Sequence, residues 1–99
     1  MAKHDPGQAL LDALRHPLRR SLLRRFIESK VVLSPKKLAR LEKHPLSNVA
    51  YHVRTMEKHG AIEIAETRPM GGSVEHFYQP TSLAKETPWV LETLGLKEG

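Results

Sequence analysis

Prolines at positions 17, 35 and 45 divide the first sixty residues into segments, none of them long enough for more than a short helix. Pro17 and Pro35 suit a first helical turn, where a missing N–H leaves nothing unpaired, and the residue before Pro45 is pushed out of the α region. A chain cut this way can bury apolar surface only by packing several short helices against one another. The spacing of apolar residues predicts four of them. The first covers 7–15, with Leu10, Leu11 and Leu14 on one face, Asp5 as cap and Pro6 in its first turn. The second runs from Pro17 to about Ser29, with Leu18, Leu22, Leu23, Phe26 and Ile27 as its buried stripe. Arg19, Arg20, Arg24 and Arg25 lie off that stripe, where they keep a helix soluble or flank a polyanion. After a brief β-branched run, Val31-Val32-Leu33, read as a short strand, Ser34-Pro35 is a cap-and-start signal for a third helix over 35–43 with Leu38, Ala39 and Leu41 inward. Leu46-Ser47 opens a fourth, capped by Ser47 and ending near His59, with Val49, Val53 and Met56 as its core stripe and Gly60 as its stop.

The period then changes from helical to alternating. Residues 61–66 read as a strand, Met70-Gly71-Gly72-Ser73 as a turn, and 74–78 as the return strand, ended by Pro80. The tail, 81–99, holds room for a short helix after Pro88, with Leu83, Trp89, Val90, Leu91 and Leu94 as apolar surface. The order is helix, helix, short strand, helix, helix, hairpin, tail helix. That is a mainly α chain with a small β-hairpin (α+β), and two short helices followed at once by a hairpin describe a winged helix-turn-helix. Residues 1–80 form this domain and 81–99 a tail that caps the core or pairs two copies.

Composition removes other classes. The absence of cysteine excludes disulfides, zinc ribbons and thiol catalysis. No apolar run suits a signal peptide or a membrane span, which favours the cytoplasm. No phosphate-binding glycine loop or nucleophile motif is present, and Glu63, Glu66 and Glu75 on the hairpin are explained by ion pairs or solvent, so an enzyme is not expected and no cofactor is implied. Six histidines invite a metal. Seven residues separate His52 from His59, a rise of roughly 10.5 Å along a helix, too far for one ion, so no metal site is expected. The net charge of +5 is unevenly placed: 1–30 carry seven Lys/Arg against three Asp/Glu, 31–60 six against two, and 61–99 three against six. A polyanion would dock on the first two thirds.

From Ser34-Pro35 through Leu38-Ala39, Ser47, Val49, His52, Val53 and Met56 to Gly60, Ile62 and Phe77-Tyr78, preceded by Ala13-Leu14-Arg15-His16-Pro17-Leu18, the chain resembles the ArsR-like winged helix repressors over residues 9–80. Such families place an apolar residue and then a glycine in the turn between the two helices. Leu41, Glu42 and Lys43 stand there instead, so the turn is a residue longer or differently closed. The cysteines of the metal-sensing members are absent, and metal sensing is not carried over.

The resemblance implies a transcription regulator, a repressor by family habit, whose partner is double-stranded DNA. The helix at 46–59 would enter the major groove, about 12 Å wide, with Ser47, Asn48, Tyr51, His52, Arg54 and Thr55 reading bases. Lys36, Lys37, Arg40, Lys43 and Lys58 would contact phosphates, which set register without reading sequence. The hairpin at 61–79 would be the wing, with Arg68, Gly71, Gly72 and Ser73 at its tip, Arg68 either reaching the minor groove or balancing Glu66. A homodimer would pair through Leu10, Leu11 and Leu14 with Trp89, Val90 and Leu94. A small-molecule or protein effector is not identified by these residues. The rival reading is a winged-helix docking module for another protein, which the acidic last third and apolar tail would suit and which would not require the basic third and fourth helices.

Overall fold

The computed structural model describes residues 6–96. It contains α1 (Pro6–Ala13), α2 (Pro17–Ser29), α3 (Pro35–Glu42), α4 (Leu46–Lys58), β1 (Ile62–Met70), β2 (Ser73–Pro80), α5 (Ser82–Glu86) and α6 (Pro88–Thr93). Asp5, the expected first cap, lies outside these residues. Three of the helices begin on a proline whose preceding residue is extended: Pro17 after His16, Pro35 after Ser34 and Pro88 after Thr87. Where a helix starts on proline the chain turns without losing a hydrogen bond. Pro88 thereby splits the tail into two short helices rather than one.

Two expected local features differ. Ser47 is not the cap of α4; Pro45 is, and no side chain bonds the first turn. Pro45, confined near φ −58 with an extended ψ, supplies the non-helical entry, and the helix begins at Leu46, two residues before the start a Ser47 cap would give. The run Val31-Val32-Leu33 forms no strand, only a single bridge in which Leu33 and Tyr78 exchange backbone hydrogen bonds. That bridge carries the edge of the hairpin onto the helical body.

The core gathers the stripes of α1, α2 and α4 with Leu33, Leu38, Ile62, Tyr78, Val90 and Leu94. Phe26, Leu22, Leu23, Val49, Val53 and Met56 are fully buried, as their spacing requires. Leu41 is not: α3 ends one residue later, and the side chain stands exposed at its edge. Gly60 closes α4 in the left-handed region at φ 82, and the Ala61 N–H reaches back to the Met56 carbonyl. The two strands pair antiparallel, Ile62 with Pro80 through Met70 with Ser73, and slip register between Ile64 and Glu66. Past Ile62 every residue of β1 is exposed, including Ile64, so the hairpin leaves the body as an arm.

The turn between α3 and α4 closes on Lys43, which adopts φ 59, ψ 43, the conformation a glycine would take without strain. The His44 N–H bonds the Ala39 carbonyl at 3.1 Å, so the loop has the usual helix-ending geometry with a lysine in the glycine place. Glu42, the other departure, is nearly buried, with its carboxylate taking the Ser21 hydroxyl at 2.8 Å and the Arg25 guanidinium at 2.5 Å. Lys43→Gly is therefore expected to raise unfolding free energy by roughly 0.5–1 kcal/mol, left-handed strain relieved less the entropy glycine adds to the unfolded chain. Urea denaturation checks this; a loss of stability would mean the lysine is not strained there.

Candidate nucleic-acid interface

α4 presents two faces. Val49, Val53 and Met56 point into the core, and Ser47, Asn48, Tyr51, Arg54 and Lys58 are exposed on the opposite side. Tyr51 is the largest side chain there, 57% exposed. Ser47 sits in the first turn, and its hydroxyl is not engaged in capping. Thr55 lies half-buried at the edge and donates its hydroxyl to the Tyr51 carbonyl at 3.1 Å, which holds it to the helix rather than outward.

His52 does not belong to this face. It is 8% exposed and packs against the junction of α1 and α2. Its ring lies 4.3 Å from that of His16, centre to centre, and its Nδ1 is 3.0 Å from an Arg19 terminal nitrogen. Burial, with the nearby His16, Arg19 and His44, holds its pKa below that of a free imidazole. The helical period puts residue 52 on the flank of the 49/53/56 stripe, but its polar character suggested an outward residue. Its partner comes from α2, and only the packing of α2 on α4 brings the two together.

The same packing sorts the cations. Among the described residues, ion pairs engage Arg15 with Asp12, Arg24 with Glu28, Arg25 with Glu42 and Arg68 with Glu66. Arg19 and Arg20 donate to main-chain oxygens that end or follow α1, those of Ala13 (2.6 Å) and Leu14 (2.7 Å). Three of the four arginines of α2 thus serve the fold: Arg19, Arg20 and Arg25 are only half-exposed and bonded to neighbouring elements. By contrast Lys36, Lys37 and Arg40 on α3, Lys43 in the turn and Arg54 and Lys58 on α4 are exposed, and none forms an ion pair with a described residue. Most of the unpaired positive charge lies on the helix pair and its turn; Lys30 after α2 and Lys85 on α5 are the other exposed lysine or arginine side chains without an ion pair among the described residues.

The arm is different. Gly71, at φ 62, and Gly72 and Ser73 are exposed at its tip. Arg68 does not extend from it: its Nε lies 2.6 Å from a Glu66 carboxylate oxygen, and its guanidinium carbon 4.2 Å from the centre of the Phe77 ring. Strand register puts Glu63, Glu66, Arg68, Glu75, Phe77 and Gln79 on one face, which is acidic on balance. Pro35, Lys36 and Leu46 on one side and Met70, Val74 and His76 on the other line an open groove of about 270 Å³ between the helix pair and the arm.

The six residues expected to pair two copies divide. Leu10, Leu14, Val90 and Leu94 are buried within the single chain, Trp89 is half-buried, and Leu11 is 46% exposed. The first four cover the chain's own core and are not surface. The polar roles that sequence reading missed are those of Arg19, His16 and Glu42. One of them carried a signal: a histidine directly before a helix-starting proline occupies a cap position.

The sequence profile of the family described as "Helix-turn-helix domain" matches residues 14–65. No curated protein matches the chain. Among solved structures, HlyU from Vibrio cholerae N16961 is similar at 20% identity with a TM-score of 0.62, over 92% of this chain and 86% of that one. Its reduced form is similar at 19% identity and 0.63, over 92% and 83%. At such identities the likeness is one of fold, that of a winged helix-turn-helix. Among the described residues no helix is long and apolar enough to cross a membrane.

Proposed function

We propose that this chain, which belongs to the helix-turn-helix family and has its ArsR-like winged form, binds double-stranded DNA as a sequence-specific transcription regulator. The observation that carries the reading is the clustering of cations: arginines elsewhere are bonded within the fold, while six basic side chains on α3, α4 and their turn have no acidic partner among the described residues, against two, Lys30 and Lys85, on the rest of them. α4 enters the major groove with Ser47, Asn48, Tyr51 and Arg54 toward the base edges. Asparagine pairs bidentately with adenine and arginine with guanine. Lys36, Lys37, Arg40, Lys43 and Lys58 hold flanking phosphates. The tip at Gly71–Ser73 follows the backbone, and Arg68 is not its reading residue. Repression, by occupying the site, is the mode such a domain performs by itself. A second copy pairs through Leu11 and the exposed edge of Trp89, giving two reading helices related by a two-fold axis.

The acidic face of the arm favours the second reading, a docking module for another protein. Fluorescence anisotropy on an unrelated duplex of about 30 base pairs across a salt series separates the two. Four to six neutralised phosphates give a slope of log K against log salt of roughly −4 to −5. Absence of binding at low salt overturns the DNA reading and leaves the docking module.

A further inference from the structure

We propose that Arg19 is a positioning residue for the recognition helix, and that its bridge to His52, seated beside His16, makes DNA binding weaken as the solution is acidified. The inference rests on the DNA-binding reading above and adds a regulation to it.

Arg19 joins three elements. From α2 its Nε donates to the Ala13 carbonyl at the end of α1, and one terminal nitrogen lies 3.5 Å from the Asp12 carbonyl. The other terminal nitrogen is 3.0 Å from His52 Nδ1, midway along α4. A guanidinium donates and cannot accept, so His52 Nδ1 carries a lone pair and the ring proton sits on Nε2. His16 is under the same requirement: its Nδ1 accepts the Leu18 N–H at 3.1 Å and caps α2. Two imidazoles that both need a bare Nδ1 therefore sit 4.3 Å apart, one of them against a permanent cation.

The charges facing His52 all have one sign. His16 comes from the link between α1 and α2, Arg19 from α2 and His44 from the turn before α4, each opposing a proton on His52. Tyr51, on α4 itself, meets the ring edge-on at 5.1 Å. Among the described residues no carboxylate pairs with Arg19 or with these histidines, and Asp12 pairs with Arg15. A proton on His52 Nδ1 would set donor against donor and cation against cation, and the bridge would open.

The sign follows from the lowered pKa of His52 in the fold. Neutral His52 is favoured by folding, so the bridged arrangement is complete above about pH 6.5, where an unfolded histidine is neutral, and is lost as pH falls below that through the lower folded value. The recognition face then loses an anchor at its midpoint. Charge changes elsewhere on the chain over the same range also alter attraction to phosphate, so the test must cancel them.

His52→Asn does so. The asparagine Oδ1 stands where Nδ1 stood, accepts from Arg19 and does not titrate. Duplex affinity is measured from about pH 7.5 to about pH 5.5 at fixed salt for the wild type and the variant. Amide exchange of α4 is followed in the DNA-free protein over the same range. The expected result is a wild-type affinity falling about three- to tenfold relative to His52→Asn, with α4 amides losing protection only in the wild type. Parallel pH profiles with unchanged α4 protection overturn the proposal while DNA binding stands. No binding at any pH overturns the DNA reading and this proposal with it, even where α4 protection still follows pH. Should His52→Asn fail to fold, His52→Gln makes the same comparison, since the glutamine Oε1 also accepts from Arg19 and the side chain does not titrate. A difference of the same sign supports the bridge, and parallel profiles overturn it.

Discussion

Reversing two charges on α3, by Lys37→Glu together with Arg40→Glu, will weaken binding to an unrelated duplex by roughly 10²–10³-fold at about 0.1 M salt and will flatten the salt dependence by about two units. Both side chains are exposed, and neither forms an ion pair with a described residue, so the fold has no use for their charge. Each phosphate contact contributes about 0.9 to the salt slope, and the two introduced carboxylates add repulsion. The matched control is Arg15→Glu with Arg24→Glu, which changes net charge equally at two exposed arginines, one in the link after α1 and one on α2, that already pair with Asp12 and Glu28. If the control weakens binding as much as the α3 variant, attraction is spread over the whole surface and the helix pair is not the contact. Anisotropy titrations at several salt concentrations give both quantities.

Leu94→Asp will destabilise the chain by roughly 3–5 kcal/mol, through an unpaired carboxylate and a cavity in an apolar site. Leu94 is 5% exposed and shares the core with Leu10, Leu14 and Val90. A domain of this size has about 5–15 kcal/mol in total, so the variant will be partly unfolded or will undock α6. Urea denaturation followed by circular dichroism reads the loss. Leu11→Asp is the contrasting variant. At 46% exposed, Leu11 contributes little to the core, and its replacement will leave the denaturation midpoint nearly unchanged while lowering the sedimenting mass at micromolar concentration. A Leu94→Asp protein of full stability and lower mass would instead return Leu94 to the interface between copies.

The two variants mark where apolar periodicity stops being informative. It predicts that Leu10, Leu11 and Leu14 belong to one amphipathic helix; Leu10 and Leu11 do, and Leu14 lies in the turn just past its end at Ala13. It does not say which of them meets the same chain and which meets another, because an apolar stripe is the same in both cases. Burial distinguishes them, and burial depends on where α6 returns.

Charge behaves in the same way. Lys36, Lys37 and Arg40 are legible as a basic helix, and Arg19, Arg20, Arg24 and Arg25 look alike beside them. In the fold Arg19 and Arg20 end α1, Arg25 holds Glu42, and only Arg24 remains exposed, with Glu28 as its partner. A long cation is drawn to any acceptor within reach, and those acceptors come from elsewhere in the chain.

What the sequence determined by itself is therefore local. Prolines 17, 35 and 88 start helices, Gly60 ends one, Gly71 turns the hairpin, and the stripes of α2 and α4 face inward, since each depends on backbone geometry or on spacing within one segment. The tertiary structure decided the rest: Lys43 in a left-handed turn, Arg68 folded onto Glu66 and Phe77, and His52 turned from the groove-facing side to Arg19 across 33 residues of chain. A polar side chain takes its role from its partner, and a partner distant in sequence is set by packing, which no local pattern encodes.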